Sequence, residues 1–169
     1  SAGCTVNGVA YNEGGRAGAG VTVVTGTAGG SITAGILKTW SSGDDVTTCD
    51  VSSISDMSSL FYNVLLFNQS VDSWDVSSVT NMSRMFRNAD AFNQSLNGWD
   101  VSQVTSMNEM FFAANNFNQS ISWDVSSVTN MKRMFRETGA FNQTITWSNS
   151  NSVTNMTDMF RSAQNFNQD

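Results

Sequence analysis

Residues 75–99 read DVSSVTNMSRMFRNADAFNQSLNGW, and at residue 100 the phrase begins again as DVSQVTSMNEMFFAANNFNQSISW. It occurs five times, starting at Asp50, Asp75, Asp100, Asp124 and Ser148, with a spacing of 25 residues, or 24 where one residue is dropped. The copies divide the chain into units 50–74, 75–99, 100–123, 124–147 and 148–169, preceded by a dissimilar segment, 1–49. Their shared template is D-V-S-S-V-T-N-M-x-x-M-F-x5-F-N-Q-S-[VLI]-x-x-W. A period of this length is the mark of stacked units, none of which can bury its apolar face alone.

The apolar residues align in columns. One holds Phe61, Phe86, Phe111, Phe135 and Phe160, and a second holds Phe67, Phe92, Phe117, Phe141 and Phe166. Trp74, Trp99, Trp123 and Trp147 form another, and Trp40 is a candidate to begin it. Met57, Met82, Met107, Met131 and Met156 make a fourth; Leu60, Met85, Met110, Met134 and Met159 make a fifth. All nine Met and ten of the eleven Phe fall on template positions, so these columns are the expected core. Sulfur–aromatic contacts should add to simple apolar burial.

Within each unit T-N-M-x-x-M-F puts apolar residues at i, i+3 and i+4, which predicts a short helix. Thr80, Thr105, Thr129 and Thr154 stand as its candidate N-caps, and Ser106 with Glu109 could form a capping box. The S-[VLI]-x-x-W-D-V and S-V-T steps read as short strands rich in Val, Thr and Trp. The expected fold class is therefore an α/β repeat: a solenoid of five units, each with short strands and a short helix. Segment 1–49, with Val21, Val23 and Val24 in a predicted strand, should add a small β-rich cap or assembly segment. Its Gly-rich pieces lack the Lys of a phosphate-binding loop.

The polar positions also align. Ser59, Arg84, Glu109, Arg133 and Asp158 alternate in sign from the second unit onward, so neighbouring units can pair across and fix register. Six of the eight basic residues lie in this part of the units, making that surface the more basic one. Asp50, Asp75, Asp100 and Asp124 form a carboxylate column, read first as turn residues and secondarily as weak calcium candidates. Asn68, Asn93, Asn118, Asn142 and Asn167, with their Gln neighbours, are expected to stack as amides from unit to unit. Several Asn are also glycosylation sequons; with the FNQ column buried, only Asn81 and Asn155 would accept glycans. The Thr column is an alternative candidate for an ice- or crystal-binding surface, unless its hydroxyls are engaged as caps.

Composition narrows the function classes. A net charge of −6 and a pI near 4.3 argue against nucleic acid and against anionic membranes. No apolar run approaches the roughly 18 residues that suggest membrane insertion. The chain has no His, which removes the commonest general base and the commonest zinc ligand. No catalytic residue and no cofactor site is expected. Cys4 and Cys49 read as one structural disulfide in an oxidising compartment, with two buried free thiols as the alternative. The expected location is extracellular or on the cell surface, with an export signal already removed.

The stretch WDVSSVTNMSRMFRNADAFNQSLNGWDVS, residues 74–102, closely resembles the repeats of BspA-like leucine-rich-repeat surface proteins, including a mycoplasma-type surface repeat of unknown function. The resemblance covers residues 50–169. It implies a leucine-rich-repeat solenoid on secreted or surface-attached proteins, with adhesion as the associated role and no catalytic residues. The sequence given stops at FNQD, in the middle of a unit. Such an end is expected to expose Met156, Met159, Phe160 and Phe166, and to invite head-to-tail assembly of copies of the chain. The expected function is a non-enzymatic extracellular structural protein, a homopolymeric filament or surface stalk. The alternative is a monomeric adhesin or ligand-binding solenoid facing a host or glycan surface.

Overall fold

The structure, a computed structural model, describes residues 3–14 and 29–168. The strand expected around Val21, Val23 and Val24 lies outside the described residues. Near the front, strand β1 (Thr5–Val6) pairs antiparallel with β2 (Val9–Ala10), Thr5 facing Ala10 and Val6 facing Val9. Asn7 and Gly8 join them, with φ of 51° and 76°. Positive φ at both central residues is what a tight hairpin turn of the primed kind requires, and Asn-Gly supplies it at little cost. Helix α1 spans only Ala34–Leu37; the Thr33 hydroxyl accepts from the Ile36 N–H at 3.2 Å, and Leu37 is buried. Thr5 bridges to Asp45, and a Cys4–Cys49 disulfide closes this front piece onto the start of the repeats.

From Asp50 onward each copy of the phrase forms one tier of a stack. Single-residue parallel bridges link Asp56 to Asn81, Asn81 to Ser106, Ser106 to Asn130 and Asn130 to Asn155. Alternate backbone N–H groups of one tier donate to the next. Those of Met57, Ser59, Phe61 and Asn63 reach the carbonyls of Asn81, Ser83, Met85 and Arg87 at 2.8–2.9 Å. Met82, Arg84, Phe86 and Asn88 repeat the pattern toward Ser106, Asn108, Met110 and Phe112. The intervening residues close tight turns instead: Leu60 N–H donates to Met57 O, and Val64 N–H to Phe61 O. The third residue of each turn is left-handed, Ser59 at φ 57° and Asn63 at φ 60°. Arg84 and Asn88, Glu109 and Ala113, Arg133 and Glu137, and Asp158 and Ser162 follow suit.

This corrects the expected fold class. An α/β solenoid of the leucine-rich-repeat kind would show a strand and a helix in every unit. The described residues hold one four-residue α-helix, one two-stranded sheet and a 3-10 turn at Ser150–Ser152, and the rest is turns and irregular chain. The predicted T-N-M-x-x-M-F helices are absent. The physical reason lies in where the hydrogen bonds go. Two consecutive four-residue turns place apolar residues at i, i+3 and i+4 much as a helix does. A left-handed residue in each turn then aims alternate N–H groups at the neighbouring tier rather than back along the chain. The Thr column does not cap helices either. Thr80, Thr105, Thr129 and Thr154 each donate their hydroxyl to a carbonyl of the preceding tier, Ser55, Thr80, Thr105 and Thr129 in turn.

The aromatic columns occupy the interior. Phe61, Phe86, Phe111 and Phe135 are fully buried and stack with ring centroids 5.5–5.7 Å apart, Phe160 continuing the series half-buried. Phe67, Phe92, Phe117, Phe141 and Phe166 run beside them at 5.7–6.0 Å. Within a tier the two rings lie 3.7–4.3 Å apart. Trp74, Trp99 and Trp123 are buried, and each indole N–H donates to a carbonyl of the tier before it, Val46, Val71 and Leu96. Trp147 is half-buried; among the described residues its indole nitrogen has no hydrogen-bond partner, nor has that of Trp40, which meets Phe67 edge-on. Offset ring stacking and a satisfied indole are the arrangements such side chains favour in a packed interior.

Candidate functional site

Most polar columns are spent on holding tiers together. Asp50, Asp75, Asp100 and Asp124 each accept through Oδ1 from the backbone N–H two residues on, at Ser52, Ser77, Ser102 and Ser126. These are Asx turns, the local use that Asp makes of its own carboxylate. The Asn149 side chain, and then the Ser126 N–H, hold the Asp124 carboxyl below its ordinary range. Among the described residues no three His, Cys, Asp or Glu side chains are grouped to hold a metal ion.

The FNQ amides run along the stack. Asn93, Asn118, Asn142 and Asn167 donate their N–H to the side-chain oxygen of the Asn one tier earlier, at 2.9–3.0 Å. Asn68 and Asn142 are exposed and Asn93 and Asn118 half-buried. Asn81 and Asn155 are half-buried, their side-chain oxygens accepting from the N–H groups of Ser83 and Thr157. Of the four residues expected at an assembly end, Met156 is exposed, Met159 is buried, and Phe160 and Phe166 are half-buried.

The alternating column forms a charged ladder, built on left-handed turn residues. Glu109 is only 5% exposed and meets three guanidinium groups: Arg84 at 3.0 Å, Arg133 at 3.5 Å, and Arg87. Asp158 receives Arg133, Arg136 and Arg161 at 3.5–3.7 Å. Arg87 also lies over the Phe112 ring at 4.4 Å, with Arg136 near the same ring at 5.5 Å. Burial pushes the Glu109 carboxyl up, but the hydrogen bonds and charges of Arg84 and Arg87 together outweigh it and hold it below its ordinary 4.5.

A depressed pKa means this carboxylate stabilises the fold above its unfolded value and loses that contribution as pH falls through the folded one. Urea midpoints of the wild type should therefore hold level down to about pH 5 and then decline. Glu109→Gln should start lower at neutral pH and show a shallower decline below pH 4.5. Parallel curves for the two proteins would refute this role.

One open groove, of about 480 Å³, crosses the first three tiers beside this ladder. Asn63, Leu65, Asn88, Asp90, Ala113 and Asn115 line it. Asn63, Asn88 and Ala113 are equivalent positions in successive tiers, as are Leu65, Asp90 and Asn115. In the first column Asn88 donates its amide to the Asn63 side-chain oxygen at 2.6 Å. In the second, Asn115 donates to Asp90 Oδ1 at 2.8 Å. Leu65 and Ala113 supply apolar corners. Next to Leu65, Leu66 is 72% exposed, and Tyr62 lies beside Arg87 at 5.8 Å. The groove was invisible in the template because all its residues fall in the variable x5 stretch. The available signal was amide or carboxylate at equivalent positions of adjacent units.

A family model described as "Mycoplasma protein of unknown function, DUF285" matches residues 33–122 and 121–169. No curated protein and no solved structure matches the chain. The BspA-like leucine-rich-repeat resemblance is thereby corrected on both counts: the match is to this family, and the tiers lack the strand-and-helix unit. With it go the leucine-rich-repeat, solenoid, filament and adhesion descriptions, which a mostly irregular chain and a family of unknown function do not carry. The Cys4–Cys49 disulfide stands.

Proposed function

The chain belongs to the DUF285 family of Mycoplasma proteins of unknown function, and from that premise we propose a non-enzymatic structural module, held outside the reducing cytosol, that presents a rigid surface to other molecules, further copies of itself among them. The observation that carries this reading is how the polar groups are used. Asp closes turns, Asn and Thr bond to the preceding tier, and Arg and Glu neutralise one another across tiers. Side chains committed to the scaffold in this way leave surface shape, not a reactive constellation, as what the protein offers. The disulfide supports an oxidising location.

Charge distribution supports self-association. Arg84, Arg87, Arg133, Arg136 and Arg161 outnumber Glu109, Glu137 and Asp158 on the ladder of a chain whose net charge is −6, so the acid excess lies elsewhere in the chain. Oppositely charged faces attract in a salt-dependent way. Sedimentation velocity from micromolar to millimolar protein should show a concentration-dependent rise in mass that shrinks as salt is added. A strictly monomeric chain at low salt would rule out self-association. The exposed, evenly repeated Thr column would then favour a second reading, a monomer that meets an ordered surface. Labelling of intact cells with a membrane-impermeant reagent tests the location separately.

A further inference from the structure

We propose that the groove over the first three tiers is a binding site for a neutral saccharide chain, with Asp90, Asn63, Asn88 and Asn115 reading hydroxyls and Leu65 and Ala113 meeting the apolar face of the sugar ring. This deepens the reading above, because it rests on a surface that acts by binding and names the chemistry of what is bound.

The groove wall keeps hydrogen-bonding capacity that the tiers do not use. Asn63 and Asp90 each engage one side-chain oxygen with the tier beyond, through Asn88 and Asn115. Among the described residues, the Asn63 amide nitrogen, the Asn88 and Asn115 side-chain oxygens and Asp90 Oδ2 have no hydrogen-bond partner. The Asn88 and Asn115 amides each keep a second N–H, so the groove offers both donors and acceptors on two parallel columns, with a carboxylate at the centre. A sugar hydroxyl both donates and accepts, so it can satisfy such a mixture in a way that a purely donating or purely accepting ligand cannot. The inter-tier pairs also hold the amides in position before a ligand arrives, which lowers the entropy cost of binding.

The apolar corners have the complementary use. Leu65, on the groove lining, is 57% exposed at a position where other tiers carry Asp90, Asn115 and Gly139. Apolar groups beside convergent polar ones are the usual composition of a small-molecule site. A pyranose ring has C–H faces and hydroxylated edges, and so fits both parts.

Two competing ligand classes fit less well. An extended peptide would bind by adding to an open backbone edge. Here the N–H groups of Asn63, Asn88 and Ala113 already donate to Arg87, Phe112 and Arg136, and those of Ala91 and Asn116 to Leu65 and Asp90. An anionic ligand would meet Asp90 inside the groove. The adjacent arginines do not offset this, because Arg87 is paired with Glu109 and Arg136 with Glu137 and Asp158.

The test is a titration of the full chain with neutral trisaccharides (maltotriose, cellotriose and chitotriose), followed through the side-chain amide resonances of Asn63, Asn88 and Asn115. At least one sugar should produce saturable shifts confined to the groove. Asp90→Ala should weaken that binding about tenfold, as loss of one charge-assisted hydrogen bond would. Leu65→Ser, at a position 57% exposed, should weaken it several-fold with the urea midpoint unchanged, while Ser78→Ala outside the groove should not change it. No groove shift with any of the three sugars would overturn the proposal, as would shifts that persist undiminished in both groove variants. Groove shifts produced only by an extended peptide would reassign the site. Sedimentation and surface labelling measure the broader reading independently, so a failure here leaves those results standing.

Discussion

Removing the Cys4–Cys49 bridge should cost about 4 kcal/mol of stability, the chain-entropy value for a loop of this size. The two cysteines are 45 residues apart in sequence and both are buried. The loss should not be spread evenly. The bridge holds β1 and the Asp45 pairing against the first tier, where Val46 O accepts from the Trp74 indole and Val46 N–H donates to Gln69 Oε1. Amide exchange in a Cys4→Ser, Cys49→Ser double variant should accelerate first in residues 29–49 and the first tier. The central tiers, which carry their own hydrogen bonds, should follow later. Denaturant unfolding with and without reductant, read by Trp fluorescence, gives the magnitude. Equal midpoints for the oxidised protein and the double variant would show that the bridge is not a structural tie.

A comparably large effect should follow from Phe111→Ala. This ring is fully buried and stacks on Phe86 at 5.6 Å, Phe135 at 5.5 Å and Phe117 at 4.1 Å. Truncating a buried Phe costs about 3–5 kcal/mol. Loss of three stacked pairs, each worth about 0.5–1.5 kcal/mol beyond its area, puts the expectation at the upper end. The cavity would open in the middle of a continuous stack, so neighbours on both sides lose contact with it. Leu66→Ala is the matched control. At 72% exposure, its removal should change stability by less than about 0.5 kcal/mol. A Phe111→Ala protein that unfolds at the same urea concentration as Leu66→Ala would contradict the role given to the aromatic columns.

The candidate site was far less legible than the core, and the residues show why. A buried column must repeat to match its neighbour above and below, so Phe111 announces itself through Phe86 and Phe135. A groove forms where side chains do not have to match. Leu65, Asp90 and Asn115 share a column, but only Asp90 and Asn115 share polar chemistry, and no template records them. The charged ladder falls between these cases. Its alternation of Arg84, Glu109, Arg133 and Asp158 was readable as pairing between units, and the ion pairs are there. The backbone beneath it was not readable, because Arg and Glu are residues that favour helices and here occupy left-handed turn positions.

The sequence by itself determined the period of the chain, the boundaries of its units and the side chains that go inside. Apolar periodicity reports burial, and the same columns are buried from the first tier to the fourth, thinning out at Trp147, Met156, Phe160 and Phe166. Only the tertiary structure decided what the backbone does between those side chains. An i, i+3, i+4 spacing suits a helical turn and a pair of tight turns alike, and local sequence separates the two only weakly. The balance is tipped by hydrogen bonds to carbonyls in the next tier, 24 or 25 residues away, which exist only once the tiers have stacked. The same stacking brings Asn63, Asn88, Asp90 and Asn115 from three units into one groove, a proximity that no single unit contains.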